Sequence, residues 1–215
     1  GYACVPLDRF ENPGVTKSVC IPKEFEPPKS ACLEQLDELG VVYTPTQFGV
    51  EHPDNFPNLD CTIEDPVYLH SPVADVGFRY YSSDNESPVL VSCKTAIAIY
   101  EMATVMGDIG GTEFEHIGTY NCRVIGGTET LSEHAFARAI DLYGFLTEDE
   151  SYYTLEDDWE KFEPNPMTAG GIWLKQLMDT CYEMGVWNII LTPNYNDAHY
   201  NHFHVDLTPG SDFYE

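Results

Sequence analysis

Apolar residues recur at helical spacing in three places along the chain. In residues 29–40, Leu33, Leu36 and Leu39 share one face, Ser30 stands where an N-cap belongs, and Gly40 where the chain must turn out of a helix. Residues 93–106, CKTAIAIYEMATVM, form a second and more apolar helical run. A third stripe, Trp173, Leu174, Leu177, Met178, Cys181 and Met184, runs from an N-cap at Thr168 to a stop at Gly185. Between these helices lie short apolar or alternating runs that predict strands: residues 41–44, 76–81, 139–145, 186–192 and 202–207. Residues 114–125 predict two short strands broken at Gly118, and the acidic residues 148–159 a surface segment with strand character. Residues 45–66 hold Pro, Asn, Asp and Gly and predict a long loop. Helices mixed with short strands predict an α+β domain, with a small antiparallel sheet flanked by helices. Residues 1–28, rich in proline and charge, carry neither period and predict an N-terminal extension ahead of a domain spanning 29–215.

Charge narrows the partners. With 36 acidic against 10 basic residues, the net charge is −26. Such a surface repels phosphate backbones and anionic lipid, so nucleic acid is not an expected partner. No apolar run approaches the ~20 residues that span a bilayer, so membrane insertion is not expected either. Calcium binding or storage would suit the acidity but would leave the histidines unexplained, and no EF-hand loop pattern occurs.

Seven cysteines, at 4, 20, 32, 61, 93, 122 and 181, include no C-x-x-C pair. Their wide spacing suggests disulfides made in an oxidising compartment. The expected bridges are Cys122–Cys181 and Cys32–Cys61, then Cys4–Cys20, with Cys93 as a free thiol buried at the start of its helix. Asn85-Glu86-Ser87 matches a glycosylation sequon, a short pattern that carries little weight.

Four of the seven histidines fall in two stretches: LSEHAFARAIDLYGF, residues 131–145, and DAHYNHFHVDL, residues 197–207. On a strand, alternation puts His202, His204 and Asp206 on one face. Asp141 falls on a strand expected in the same sheet, with His134 across two helical turns or a tight turn. Two imidazoles and a carboxylate are a common catalytic zinc set, with a fourth position for a water whose pKa falls toward ~7. His52, His70 and His116, each alone, read as packed or hydrogen-bonded residues.

These motifs carry a resemblance. The patterns S-E-H-A-x-x-x-A-I-D and N-x-x-H-x-x-H-F-H-x-D, with ACLEQLDELGV, CTIEDPVYL, GTYNCRVIGG and LEDDW in the same order, resemble the extensin-like C-terminal domain family over roughly residues 29–208. That family resembles the zinc peptidases that comprise D-Ala-D-Ala carboxypeptidases, L-Ala-D-Glu peptidases and murein endopeptidases. The resemblance implies that His134, Asp141 and His204 ligate Zn²⁺ on the sheet and that His202 is the catalytic histidine. It further implies that Arg123 orients substrate or stabilises its oxyanion, and that Ser132 touches substrate or supports the ligands. Several carboxypeptidase relatives place an acidic base three residues before the last ligand. Here that position is Asn201, which leaves His202 or Asp197 as the base. The implied activity is hydrolysis of peptide bonds in peptidoglycan stem peptides or cross-links, by a secreted or periplasmic bacterial protein. The alternative is a non-catalytic cell-wall-binding or structural module that retains the metal site.

Overall fold

The computed structural model describes residues 2–6, 18–22, 28–83 and 86–215, the first two stretches as backbone alone. β1 (Tyr2–Pro6) and β2 (Ser18–Pro22) pair antiparallel, with Cys4 opposite Cys20. The expected bridge between those two side chains, the rest of the extension and Asn85 lie outside the described residues.

Helix α1 (Ala31–Glu38) begins where the Ser30 side chain accepts a hydrogen bond from the Leu33 amide, and ends at Gly40 with φ +71°. A three-stranded antiparallel sheet follows, in the order β3 (Tyr43–Pro45), β4 (Pro66–Leu69), β6 (Val89–Ser92). β5 (Gly77–Tyr80) belongs instead to a second, seven-stranded sheet. The remaining strands of that sheet are β7 (Gly111–Gly118), β8 (Ala139–Thr147), β9 (Tyr152–Thr154), β10 (Ile189–Leu191), β11 (Phe203–Asp206) and β12 (Phe213–Tyr214). Its main path runs β12-β10-β11-β8-β7-β5, with β9 also on β8. Among the described strands, only β10–β12 and β5–β7 pair parallel. Helix α2 (Cys93–Asp108), the short α3 (Leu155–Asp158) and α4 (Ala169–Glu183) complete the domain.

The α+β class is therefore the one expected, and the small antiparallel sheet is present. The histidine motifs, however, sit on the larger sheet. Residues 114–125 form one strand, β7, that ends at Gly118; beyond it only an isolated bridge, Val124 with Leu131, continues. β4, β6 and β12 are strands beyond those that the pattern predicts.

α2 and α4 pack on one continuous core. Leu36, Val91, Ile99, Met102, Met106, Phe114, Leu142, Phe145, Leu174, Leu177, Phe203 and Val205 are all but fully buried in it. Each buried side chain of this size contributes about 1.5–3 kcal/mol. The expected stripe on α4 holds except at its end, where Met184 is exposed as the C-cap residue. Gly111 is required by packing, since a Cβ there would stand 2.3 Å from the Met106 side chain of α2.

The bridges are Cys32–Cys93 and Cys61–Cys122, and Cys181 is a buried free thiol. This corrects the expected Cys32–Cys61 and Cys122–Cys181 pairing and the free Cys93. Cys93 opens α2 on the side packed against α1, so Cys32 is its neighbour. Cys181 points from α4 into the core, where burial pushes its thiol up to about 12. Two described disulfides mark a chain that folds in an oxidising, extracellular-type compartment. Among the described residues, no helix is long and apolar enough to cross a membrane.

Each bridge spans 61 residues of sequence. A loop of that length constrains the unfolded chain by about 4 kcal/mol. Replacing Cys61 and Cys122 together by Ser is expected to lower unfolding free energy by up to about that amount, measured in urea. In the native protein Cys181 should resist thiol reagents until the chain unfolds; prompt native labelling at Cys181 would contradict this packing.

Candidate metal centre

Sheet register brings the two motifs together. β8 and β11 run antiparallel with His204 directly opposite Asp141, and on the other side of β8 Asp141 faces Gly118 of β7. His134 arrives by a different route. Ser132 caps a 3₁₀ turn, Glu133–Phe136, its Oγ accepting from the His134 amide. The turn closes at Ala137, whose left-handed φ of +51° reverses the chain into β8. A left-handed alanine costs about 1 kcal/mol. It is held there because its carbonyl accepts from the Ser92 amide and from Thr95 Oγ1 at the start of α2, both at 2.9 Å. An ion pair, Arg138 with Glu133 at 2.7 Å, and the Arg138 guanidinium over the Phe136 ring brace the same turn.

The three side chains converge. His134 Nε2 lies 3.2 Å from both Asp141 Oδ1 and His204 Nδ1, and His204 Nδ1 lies 2.9 Å from Asp141 Oδ1. Each of these residues also has its outer atom committed. His134 Nδ1 donates to the Thr119 carbonyl, and His204 Nε2 donates to Asp206 Oδ2 at 2.9 Å. Asp206 is anchored in turn by the amide and hydroxyl of Thr208, at 2.8 and 2.7 Å. Outer partners of this kind select the tautomer that presents a bare nitrogen inward. Three lone-pair-bearing atoms then face one point, an arrangement that only a cation stabilises. Donors about 2.0–2.1 Å from a tetrahedral ion stand about 3.3 Å apart. The observed separations match that spacing, so the residues fit a zinc-sized ion held by His134, Asp141 and His204.

Electrostatics agree. Burial opposes ionisation of Asp141, yet the neighbouring imidazoles of His134 and His204 hold it well below the usual carboxylate range. Burial alone would lower His204, but Asp141 and Asp206 outweigh it and raise it to about 9. In the absence of metal, a proton on His204 is thus the cation of the cluster at neutral pH.

His202, immediately before β11, stands beside this group with Nε2 3.7 Å from Asp141 Oδ1. Its Nδ1 donates to Asn201 Oδ1 at 3.0 Å, which leaves Nε2 bare toward the cluster. Burial, reinforced by its cationic neighbours, lowers its pKa, so the ring is neutral near pH 7. Asp206 shares the histidine face as alternation requires, but its carboxylate serves His204 and not His202.

The other expected residues separate. Arg123 is exposed, lines the cleft beside His134 and Asp141, and forms no ion pair with a described residue. Ser132 is buried under the turn, where its Oγ accepts from the His134 amide, a position that suits the supporting one of its two expected roles. Asp197 is exposed at the start of the 3₁₀ turn Asp197–His199 and makes none of the cluster's contacts. One imidazole had no role assigned from the sequence. The His199 ring lies 5.2 Å from that of His202 and 5.8 Å from that of His204. Its Nδ1 donates to Asn196 at 2.8 Å, and burial lowers it to about 4. The signal was its place three residues before His202. His52 and His70 are each hydrogen-bonded, as expected, to the Leu59 carbonyl and to Thr44 Oγ1 respectively. His116 is buried and lowered to about 4 by burial, with Nδ1 lacking a described partner. An unpaired buried nitrogen costs about 1–3 kcal/mol.

A cleft of about 590 Å³ runs from the cluster between the two sheets. Tyr68, Tyr80, His116, Tyr120, Asn121 and Arg123 are among its lining residues.

In comparison with known proteins, the family model described as Extensin-like protein C-terminus matches residues 30–213. No curated protein and no solved structure matches the chain.

Zinc should bind one ion per chain, by elemental analysis, and His204→Ala should abolish binding. Because His204 carries a proton below about pH 9 when metal-free, zinc binding at pH 7 should release about one proton. Affinity should therefore fall as the pH is lowered. Titration calorimetry in buffers of different ionisation enthalpy reads the proton count. Asp206→Asn should weaken binding by about 10–100-fold; unchanged affinity in that variant would contradict the assigned partner of His204.

Proposed function

We propose that this chain, which belongs to the extensin-like protein C-terminus family, is a zinc-dependent peptidase acting on the stem peptides or cross-links of bacterial peptidoglycan, outside the cytoplasm. One observation carries the reading. Two imidazoles and a carboxylate, each oriented from behind, converge at zinc spacing beside a neutral histidine at the end of an open cleft. The resemblance of the motifs to the peptidoglycan-cleaving zinc peptidases supplies the substrate class.

The ion, when bound, supplies a Lewis acid for a carbonyl and lowers the pKa of water toward ~7. The chain's own residues do the rest. His202 is positioned as the proton carrier: Asn201 takes its Nδ1–H, and bare Nε2 faces the reacting region. The acid found at position 201 in some relatives is replaced here by an amide that orients the base. Its lowered pKa keeps it able to accept a proton at neutral pH. Arg123, a cation without a described ion-pair partner on a chain of net charge −26, is placed to hold a substrate carboxylate at the cleft. Asp197, exposed and outside the cluster, is the weaker base.

The test is digestion of purified sacculi by the zinc-loaded protein, with released muropeptides identified by mass spectrometry. His202→Ala is expected to keep its zinc and to lose about 10²–10⁴-fold in turnover. Arg123→Ala is expected to raise KM more than it lowers kcat, as loss of a binding contact does. Intact sacculi after prolonged digestion with fully metallated protein would sink the peptidase and favour a binding module. Because His202 titrates below its ordinary value, activity should persist to mildly acidic pH and fall as that ring protonates.

A further inference from the structure

The cleft beyond the metal cluster has a chemistry of its own. Apart from Asp141, none of the described residues lining it is acidic, and Arg123 is its one cation, on a chain with 36 acidic residues. A ligand in the cleft therefore finds one anchor for a negative group and neutral surface elsewhere. That surface is unusual. Tyr68 of β4 and Tyr80 of β5 come from two different sheets and keep 41% and 45% of their surface exposed, so flat apolar ring faces with polar tips stand at the cleft. Beside Tyr80 lies His116 of β7, 5% exposed and without a described partner for Nδ1. Its ring is fixed by edge contacts, 5.5 Å from Tyr80 and 6.4 Å from Phe78 between centroids. Its Nδ1 is shut away from solvent, but the ring lines the cleft and no described residue bonds it, so the part of the imidazole that meets the cleft is free for a ligand. A neutral imidazole offers one donor and one acceptor, a match for a hydroxyl, which does both.

We propose that this cleft is a saccharide subsite. It takes a neutral pyranose unit whose apolar face packs on Tyr80 and Tyr68 and whose hydroxyl or acetamido group bonds His116, with Asn121 at the rim. An uncharged sugar satisfies all three features together: flat apolar C–H faces for the tyrosines, hydroxyls for the imidazole, and no charge to balance. An extended peptide would use the imidazole but has no need of two exposed aromatic faces. Sugar binding here requires no hydrolysis, so it stands apart from the peptidase reading.

The test is a calorimetric and NMR titration of the whole chain with three probes: N,N′-diacetylchitobiose, cellobiose and a blocked, uncharged alanine tripeptide. Saturable binding of at least one disaccharide, with shifts at Tyr80 and His116, is expected. Preference between the two disaccharides tells an acetamido sugar from a plain glucan, and either supports the subsite. Tyr80→Ala, at an exposed position that leaves the core intact, should weaken the disaccharide about tenfold or more while zinc content is unchanged. His116→Phe should do likewise, and His116→Asn, which restores a polar atom near Nδ1, should recover part of the loss. Saturation by the tripeptide alone, failure of both disaccharides to saturate, or full affinity in Tyr80→Ala would overturn the proposal. Disaccharide binding in a protein that leaves sacculi intact supports it while removing the peptidase.

Discussion

A buried carboxylate that must be neutralised organises the heart of this molecule. Asp141 sits on the third strand in from one edge of the large sheet, with an imidazole opposite it on β11 and another delivered by a turn. Burial raises the cost of its charge, and unpaired it would carry several kcal/mol of desolvation. The cluster resolves this with one positive charge, a proton on His204 or a metal ion among three lone pairs. Either way the cation is required by the arrangement, and everything behind it keeps the lone pairs pointed inward: the Thr119 carbonyl, Asp206 and, behind Asp206, Thr208.

That convergence is expensive to hold, and the fold spreads the expense over elements that do no chemistry. The left-handed Ala137 is pinned by the N-terminus of α2. The same helix begins at Cys93, which is tied to α1 through Cys32. The second bridge joins the long loop at Cys61 to Cys122, one residue before Arg123. A chain this acidic repels itself, and covalent ties close to the site offset that tendency where position matters most. The core helices α2 and α4 then act as a rigid backing against which sheet and turn keep their register.

The distribution of charge separates surface from site. Several described cations are spent on carboxylates, as in Lys29 with Asp37, Arg79 with Glu115, Lys94 with Glu64 and Lys175 with Asp179. The exposed pairs among them, Lys29 with Asp37 and Lys94 with Glu64, contribute at most about 1 kcal/mol each, so they relieve repulsion more than they build stability. Arg123 is different, being placed in the cleft without such a partner. Apart from Asp141, the described lining of the cleft holds none of the acidic residues that cover the rest of the chain. Its neutral lining and its single cation set what kind of ligand the cluster can meet.

Much of this was legible along the chain, because caps, helical stripes and strand alternation act over a few residues. Ser30 and Thr168 cap the elements expected of them, Gly40 and Gly185 end two helices, and alternation correctly put His204 and Asp206 on one face. The spacing of His134 to Asp141, and of His202 to His204, announced a candidate metal site, and the structure brings His134, Asp141 and His204 together. What local pattern could not carry was partnership between distant segments. Cys93 found Cys32, and Cys181 stayed unpaired, because helix packing and not spacing decides which sulfurs meet. Asp141 went to His204 and the Thr119 carbonyl to His134, since hydrogen-bond partners are chosen by angles available only after the strands register. The cleft needed two sheets to face each other. Sequence specifies the short-range conformations that cost least; only tertiary packing, which brings groups dozens of residues apart into a shared low-dielectric space, decides which of them touch.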